Sequence, residues 1–141
     1  MKEFIEMVAL VIAGPMVGVE IAVGAFTNPI FARLPDDAFR QARSDGSRVL
    51  GKVMPFWYVA TLVVLIVAAV VTGEWLIVAA AAVMGVVVLM TVTLMVPINN
   101  RIGRWTDASD RDLARRWDRL HWLRIALLLA MVVLLATGIT E

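Results

Sequence analysis

Four long blocks of apolar residues divide the chain, and they constrain its fold more than any other feature. Because about 20 mostly apolar residues are needed for a helix to cross the hydrocarbon region of a bilayer, we predict spans over about residues 5–27, 54–72, 75–97 and 121–139. The blocks lack the alternation of apolar and polar residues that is typical of a membrane β-barrel. The sequence therefore predicts an all-α membrane protein, an antiparallel four-helix transmembrane bundle.

The amino-acid composition supports this placement in a membrane. Hydrophobic residues make up 61% of the chain, and a soluble domain of this length could not bury so much apolar surface. The same fraction excludes a disordered chain, and the absence of cysteine excludes a disulfide scaffold. A net charge of +1 gives no electrostatic footprint for nucleic acid. We expect a single domain, residues 1–141, whose main partner is the lipid bilayer.

The basic residues are distributed unevenly along the chain. Twelve of the thirteen Lys and Arg residues lie in segments 27–54 and 98–124, and Lys2 is the exception. The positive-inside rule predicts that both segments face the cytoplasm and that both termini lie outside. Eleven Arg against two Lys is typical of a GC-rich bacterial genome. We therefore expect a multi-pass protein of a bacterial inner (plasma) membrane.

Both cytoplasmic segments are expected to contain helix that continues into the following span. Asp36 or Asp37 is predicted to cap the helix leading into the second span, and Asp107 or Ser109 the helix leading into the fourth. Helices 2 and 4 are thus expected to extend into the cytoplasm. The segment 27–29 is interpreted as the end of the first helix.

Glu20 is a charged residue inside a predicted span. A carboxylate at that depth costs several kcal/mol if it is unpaired, so it is expected to face the bundle interior or a cavity. Gly24, Thr27 and Asn28 fall on the same helix face and lead towards the cytoplasmic end. A functional carboxyl group and a structural one that joins helices are both open interpretations.

His121 is the single histidine, and it shares a helix face with Trp117 and Arg124. One histidine is a poor metal site, since zinc and non-haem iron generally need several protein ligands. A proton carrier and an interfacial structural histidine are both open interpretations. Arg124 either reaches the interface or turns inward, where Glu20, Asp118 or a ligand could pair with it.

Three further segments have patterns of interfacial or packed helix. Segment 97–101, which contains two asparagines, is interpreted as a helix terminus or part of a binding site. Segment 54–58 is typical of an interfacial aromatic anchor. Gly14 and Gly18 form a GxxxG motif that favours close helix packing, within the monomer or in a homo-oligomer.

The predicted topology brings polar residues from different helices to one membrane depth. Glu20 lies about two turns deeper, roughly 12 Å at the rise of an α-helix. The sequence therefore predicts a polar pocket that opens to the cytoplasm and has Glu20 at its floor. The residues at the shallower level include Asn28, Pro55, Asn99, Trp117, His121 and Arg124.

Three motifs point to a family. They are Phe26-Thr27-Asn28-Pro29 closing the first span, Pro97-Ile98-Asn99-Asn100-Arg101 closing the third, and Trp117-Asp118-Arg119-Leu120-His121-Trp122-Leu123-Arg124 opening the fourth. With the four spans, they resemble the integral-membrane family that includes the fungal anthrone oxygenases.

This resemblance implies oxygenation of an anthrone to an anthraquinone without a metal, flavin or haem cofactor. Such chemistry requires a phenolic substrate that reacts with dioxygen once it is deprotonated. The resemblance implies His121 as the base, Arg124 as the stabiliser of the enolate and Asn99 as a hydrogen-bond partner. Glu20 is a further catalytic candidate that does not come from the family motifs.

The leading hypothesis is thus a membrane protein that binds a small lipophilic aromatic or quinone-like ligand. The residues expected to contact that ligand are Asn28, Trp57, Asn99 and Trp117. Two other classes stay open. One is a proton-coupled small-molecule transporter that uses Glu20, and the other is a non-catalytic accessory or structural subunit.

Overall fold

A computed structural model describes residues 1–106 and 109–141 as a bundle of long helices without a strand in that part of the chain. Each helix is long and apolar enough to cross a membrane, so the predicted all-α four-helix fold is confirmed and the chain is a multi-pass membrane protein. The helices are α1 Lys2–Ala32, α2 Asp36–Thr72, α3 Trp75–Gly103 and α4 Arg111–Thr140.

The helices form a ring in which each one packs against two neighbours. Helix α1 contacts α2 and α4, and α3 contacts the same two helices. A tight turn at Gly73 joins α2 to α3, with φ of 72° and an N–H that donates to the Ala69 carbonyl over 2.9 Å. Only glycine adopts this left-handed conformation without steric cost, so the turn sets α2 and α3 antiparallel.

Small and flexible apolar side chains fill the centre of the bundle. Alanines at the helix contacts let the backbones approach closely, and methionines fill the irregular space between them. The outward surfaces carry large exposed apolar side chains, such as Phe56 and Val70, which suit contact with lipid. The completely buried core residues include Ala9, Ala13, Met16, Leu65, Ala68, Ile77, Ala80, Met84, Leu128, Met131 and Leu135.

Helices α2 and α4 begin well before their apolar stretches, as predicted, but the predicted caps are wrong. Helix α2 starts after Pro35 without a side-chain cap, so both aspartates lie in its first turn instead. The residue that caps α4 is Asp110, whose carboxylate accepts from the Leu113 N–H over 3.0 Å, and not Ser109. The alternative cap, Asp107, lies outside the described residues.

The prediction that the first helix ends at 27–29 is also wrong. Helix α1 widens into a π-helical turn at Val23–Thr27 and then continues to Ala32, and α3 does the same at Thr91–Met95. Each wide turn ends two residues before a proline, Pro29 or Pro97. Proline lacks an N–H and crowds the preceding turn, so a widened turn lets the helix pass through it. Both wide turns border the site described next.

Candidate functional site

Glu20 stands at the centre of a buried polar cluster built from three helices. Its Oε1 accepts a hydrogen bond from the Tyr58 hydroxyl over 2.6 Å, and its Oε2 accepts one from Arg124 Nη2 over 2.9 Å. His121 Nδ1 lies 3.2 Å from the same Oε2. Glu20, His121 and Arg124 are each at most 6% exposed. A carboxylate buried this deeply is tolerated because an arginine and a hydroxyl compensate it.

The contacts of His121 determine which ring nitrogen carries the proton. Nε2 lies 2.9 Å from the backbone oxygen of Glu20, which can only accept, so Nε2 donates. Nδ1 is then the acceptor for Arg124 Nη2, 3.0 Å away. The ring also stacks on Trp117, with centroids 4.7 Å apart and planes at 15°. A neutral imidazole thus presents the lone pair of Nδ1 to the Arg124 guanidinium, and the same atom lies close to Glu20 Oε2.

Glycine at position 24 allows this close approach between α1 and α4. A Cβ atom built there would lie 2.9 Å from Ile125 Cδ1 and 3.2 Å from His121 Cδ2. Gly24 belongs to the wide turn of α1, one helical turn beyond Glu20. The backbone of α1 therefore fixes the imidazole from two sides, through the Glu20 carbonyl and through Gly24.

Arg124 has one buried nitrogen that forms no hydrogen bond with the described residues. Its Nη1 donates to the Thr91 hydroxyl over 3.4 Å, and its guanidinium lies 5.3 Å from the centre of the Tyr58 ring. Its Nε, in contrast, is the one buried side-chain polar atom without a hydrogen-bond partner in residues 1–106 and 109–141. An orphaned buried donor is rare in proteins and is available to an acceptor on a ligand.

The cluster forms one wall of a cavity of about 110 Å³ that all four helices line. Its exposed lining residues are Gly51, Pro55 and Asn100, so the cavity reaches the surface between α2 and α3, towards the end of the bundle that has the charged connections. The other walls are mainly apolar. The lining residues are Glu20, Val23, Leu50, Gly51, Met54, Pro55, Tyr58, Thr91, Met95, Val96, Asn99, Asn100, Trp117, His121 and Arg124.

A second cavity, of about 270 Å³, adjoins the first and shares Val23, Leu50, Asn99 and Trp117 with it. Two of its polar lining residues, Asn28 and Arg43, both bind the carboxylate of Asp118. That carboxylate accepts from Arg43 Nη1 over 2.9 Å and from Asn28 Nδ2 over 3.1 Å. Asp118 is therefore the partner of Arg43, and Arg124 pairs with Glu20.

The structure brings together most of the site residues predicted from the sequence. The predicted difference in depth is wrong for His121 and Arg124, because both contact Glu20 directly, with Nε2 of His121 2.9 Å from the Glu20 carbonyl oxygen and Nη2 of Arg124 2.9 Å from Oε2. Glu20, Asn99, Trp117, His121 and Arg124 line the first cavity, and Asn28 lines the second. Trp57 lines neither of them. Its indole Nε1 instead donates to the Ile12 carbonyl over 2.8 Å and ties α2 to α1. In this arrangement Trp57 is not among the residues that would contact a ligand in either cavity.

Sequence reasoning missed Tyr58 and Thr91. Tyr58 stands next to Trp57 in a segment interpreted as an interfacial anchor, yet it is only 2% exposed. The signal that could have found it is its spacing from Thr61, three residues later, since the two polar side chains share the buried face of α2. Thr91 had no such signal, because it begins the wide turn of α3, where the ordinary helical spacing of buried residues does not hold.

Fold and site together define a small multi-pass membrane protein with a buried charged cluster on the wall of a mainly apolar cavity. The described residues contain no group of three or more His, Cys, Asp or Glu side chains that could hold a metal ion. The sequence profile of the anthrone oxygenase family matches residues 39–134. The chain belongs to this family. No curated protein and no solved structure matches the chain.

Proposed function

We propose that this protein is a membrane oxygenase that binds a lipophilic phenolic aromatic in the first cavity and promotes its reaction with dioxygen without a cofactor. The observation that carries the proposal is the Glu20–Tyr58–His121–Arg124 cluster. It puts a carboxylate, an imidazole and a guanidinium with a free N–H on the wall of a mainly apolar cavity. Family membership supports the class of reaction.

For an anthrone-type substrate, the proposed reaction converts a ring CH₂ group into a carbonyl group. One oxygen atom of dioxygen becomes the carbonyl oxygen, and the other leaves as water with the two hydrogens of the CH₂ group. All the electrons that reduce dioxygen come from the substrate, so no external reductant is needed. The task of the protein is then to remove a proton and to stabilise the resulting anion.

The contacts of the cluster suggest how it performs this task. His121 accepts the substrate proton at Nδ1, which requires Arg124 Nη2 to leave that atom. Arg124 then donates from Nη2 and from its free Nε to the enolate oxygen. Glu20 Oε2, 3.2 Å from Nδ1, compensates the positive charge that forms on the imidazole. In this proposal Tyr58 positions the carboxylate through its bond to Oε1.

Oxygen consumption with a defined probe tests the proposal. The purified chain in lipid nanodiscs is supplied with a dihydroxyanthrone, and dioxygen uptake and quinone absorbance are followed against empty nanodiscs. We expect uptake above the autoxidation rate for the wild type and a fall to that rate for His121→Gln. Thr61→Val is the matched control, because Thr61 is equally buried but lies outside the cavity.

Two results would overturn the proposal. The first is a wild-type rate equal to that of empty nanodiscs, and the second is full activity in His121→Gln. Proton-driven flux in proteoliposomes that is lost in Glu20→Gln, without any oxygen uptake, would favour the transporter instead. The observed contacts favour the oxygenase, since both carboxylate oxygens of Glu20 are already bound by Tyr58 and Arg124.

A further inference from the structure

A third cavity, of about 310 Å³, lies between α2 and α3 at the end of the bundle with the charged connections. It meets the mouth of the first cavity at Gly51, Asn99 and Asn100, which line both. The apolar stretches of α2 and α3 end at this level, since Lys52 and Arg101 are the first charges beyond them. The cavity therefore lies where the hydrocarbon region gives way to the polar interface.

The charges that line this cavity are all positive. Arg48, Lys52 and Arg104 belong to its wall, and no carboxylate of residues 1–106 and 109–141 does. Arg48 is paired with Asp45, whereas Lys52 and Arg104 form no ion pair in residues 1–106 and 109–141. The side-chain amide of Asn100 adds further hydrogen-bond donors. Two uncompensated cations thus face one concave space.

Hydrogen bonds between α2 and α3 hold the cavity in shape. The carbonyl oxygen of Gly103 accepts from the Ser44 hydroxyl over 3.1 Å and from Arg48 Nη1 over 3.4 Å. Asn99 Nδ2 donates to the Ser47 carbonyl over 2.9 Å. Ser44 and Ser47 are both buried. These bonds fix the end of α3 against α2, so the helix segments that carry the cations are held in place.

We infer that this cavity binds a phosphate group. Guanidinium, ammonium and amide N–H groups are the donors that proteins use for phosphate, and two unpaired cations match its charge. The position at the boundary of the apolar region favours the headgroup of an anionic phospholipid as the source, since basic pockets between membrane helices bind such headgroups. A soluble phosphate compound would use the same chemistry. The inference does not depend on the proposed oxygenase activity.

Lipid binding by the intact chain tests this inference. The wild type and the double variant Lys52→Gln/Arg104→Gln are titrated in detergent with phosphatidylglycerol and phosphatidylcholine, and bound lipid is counted by native mass spectrometry. We expect the double variant to lose roughly tenfold or more in phosphatidylglycerol affinity, with weak phosphatidylcholine binding unchanged. The control is Arg116→Gln/Arg119→Gln, which removes two exposed cations from α4 outside the cavity.

The arms of this experiment also separate the two sources of phosphate. Inorganic pyrophosphate that binds the wild type, displaces phosphatidylglycerol and fails to bind the cavity variant would support the site with a soluble ligand as its source. Equal loss of phosphatidylglycerol in both double variants, or loss in neither, would overturn the inference. The thermal unfolding of each variant is measured alongside, and because all four residues are exposed we expect no change.

Discussion

The half of the bundle near the Gly73 turn is packed by apolar side chains, whereas the half near the charged connections contains the polar cluster and the three cavities described above. At Gly138, in the first half, an added Cβ atom would lie 2.9 Å from Ile77 Cγ1 and 3.3 Å from the Ile77 backbone nitrogen. In the second half, helices meet through the charges of Glu20 and Arg124, beside open space.

This difference separates the residues that specify the fold from those that can do chemistry. Close packing is enough to associate helices in a membrane. A buried ion pair is weak evidence for stability, because apolar residues of similar size often serve as well or better. Stability alone therefore does not require the polar residues of the second half. Substitutions in the two halves measure what each half contributes to stability and to activity.

The largest effect is expected from breaking the buried ion pair. Arg124→Met leaves the Glu20 carboxylate without its cation, and losing one partner of a buried pair costs about 3–5 kcal/mol. Unfolding in mixed detergent micelles measures this loss. The double variant Glu20→Gln/Arg124→Met should regain most of it, because no unpaired charge remains. A loss below about 1 kcal/mol in the single variant would contradict burial of a charged pair.

A smaller loss, confined to the apolar half, is expected from Gly138→Ala. The new methyl group meets Leu76 Cβ at 3.1 Å as well as the backbone of Ile77, and such overpacking costs about 1–3 kcal/mol. Gly85→Ala is the matched control, since none of the described residues places an atom within 4 Å of its added Cβ. That control should be neutral or stabilised by up to about 1 kcal/mol. Equal unfolding free energies for the two variants would contradict the close packing of the helices around Gly138.

The reverse result, a loss of activity at little cost in stability, is expected from Gly24→Ala. The added Cβ meets the flexible end of Ile125, which can move, and also the ring of His121. We expect a change below about 1 kcal/mol in unfolding and a fall of roughly tenfold in dioxygen uptake, because a small displacement of a catalytic group is costly. Gly18→Ala, with open space around it, is the control and should keep both values.

The sequence predicted the helices and the inward-facing residues because membrane burial leaves a strong signal. Uninterrupted apolar runs identify the four helices, and the cost of a charge in hydrocarbon directs Glu20 and Arg124 inward. Helix rotation was harder to predict, since it depends on how neighbours pack. Trp57 and Tyr58 follow each other in the helix and therefore point about 100° apart, and only the assembled bundle shows which one reaches the cluster.

The helix irregularities were also beyond prediction. Segment 27–29 has the composition of a helix end, and proline normally supports that interpretation. In the bundle, the wide turn Val23–Thr27 accommodates Pro29 and the helix goes on. A π-helical turn needs the surrounding helices to stabilise it, so local sequence does not specify it. The wide turn matters for the site because it places Gly24 against the His121 ring.

Dioxygen uptake by Tyr58→Phe and by Trp57→Phe shows whether the Glu20 cluster acts on a substrate or only joins helices. Each substitution removes one hydrogen bond between α1 and α2, worth about 0.6 kcal/mol on average in membrane proteins, and Trp57→Phe also removes part of the packed ring system. Of these two residues, only Tyr58 contacts the Glu20 carboxylate. We expect Tyr58→Phe to slow dioxygen uptake at least severalfold and Trp57→Phe to keep the wild-type rate. Equal rates in the two variants would contradict a role of the Tyr58–Glu20 contact in the reaction.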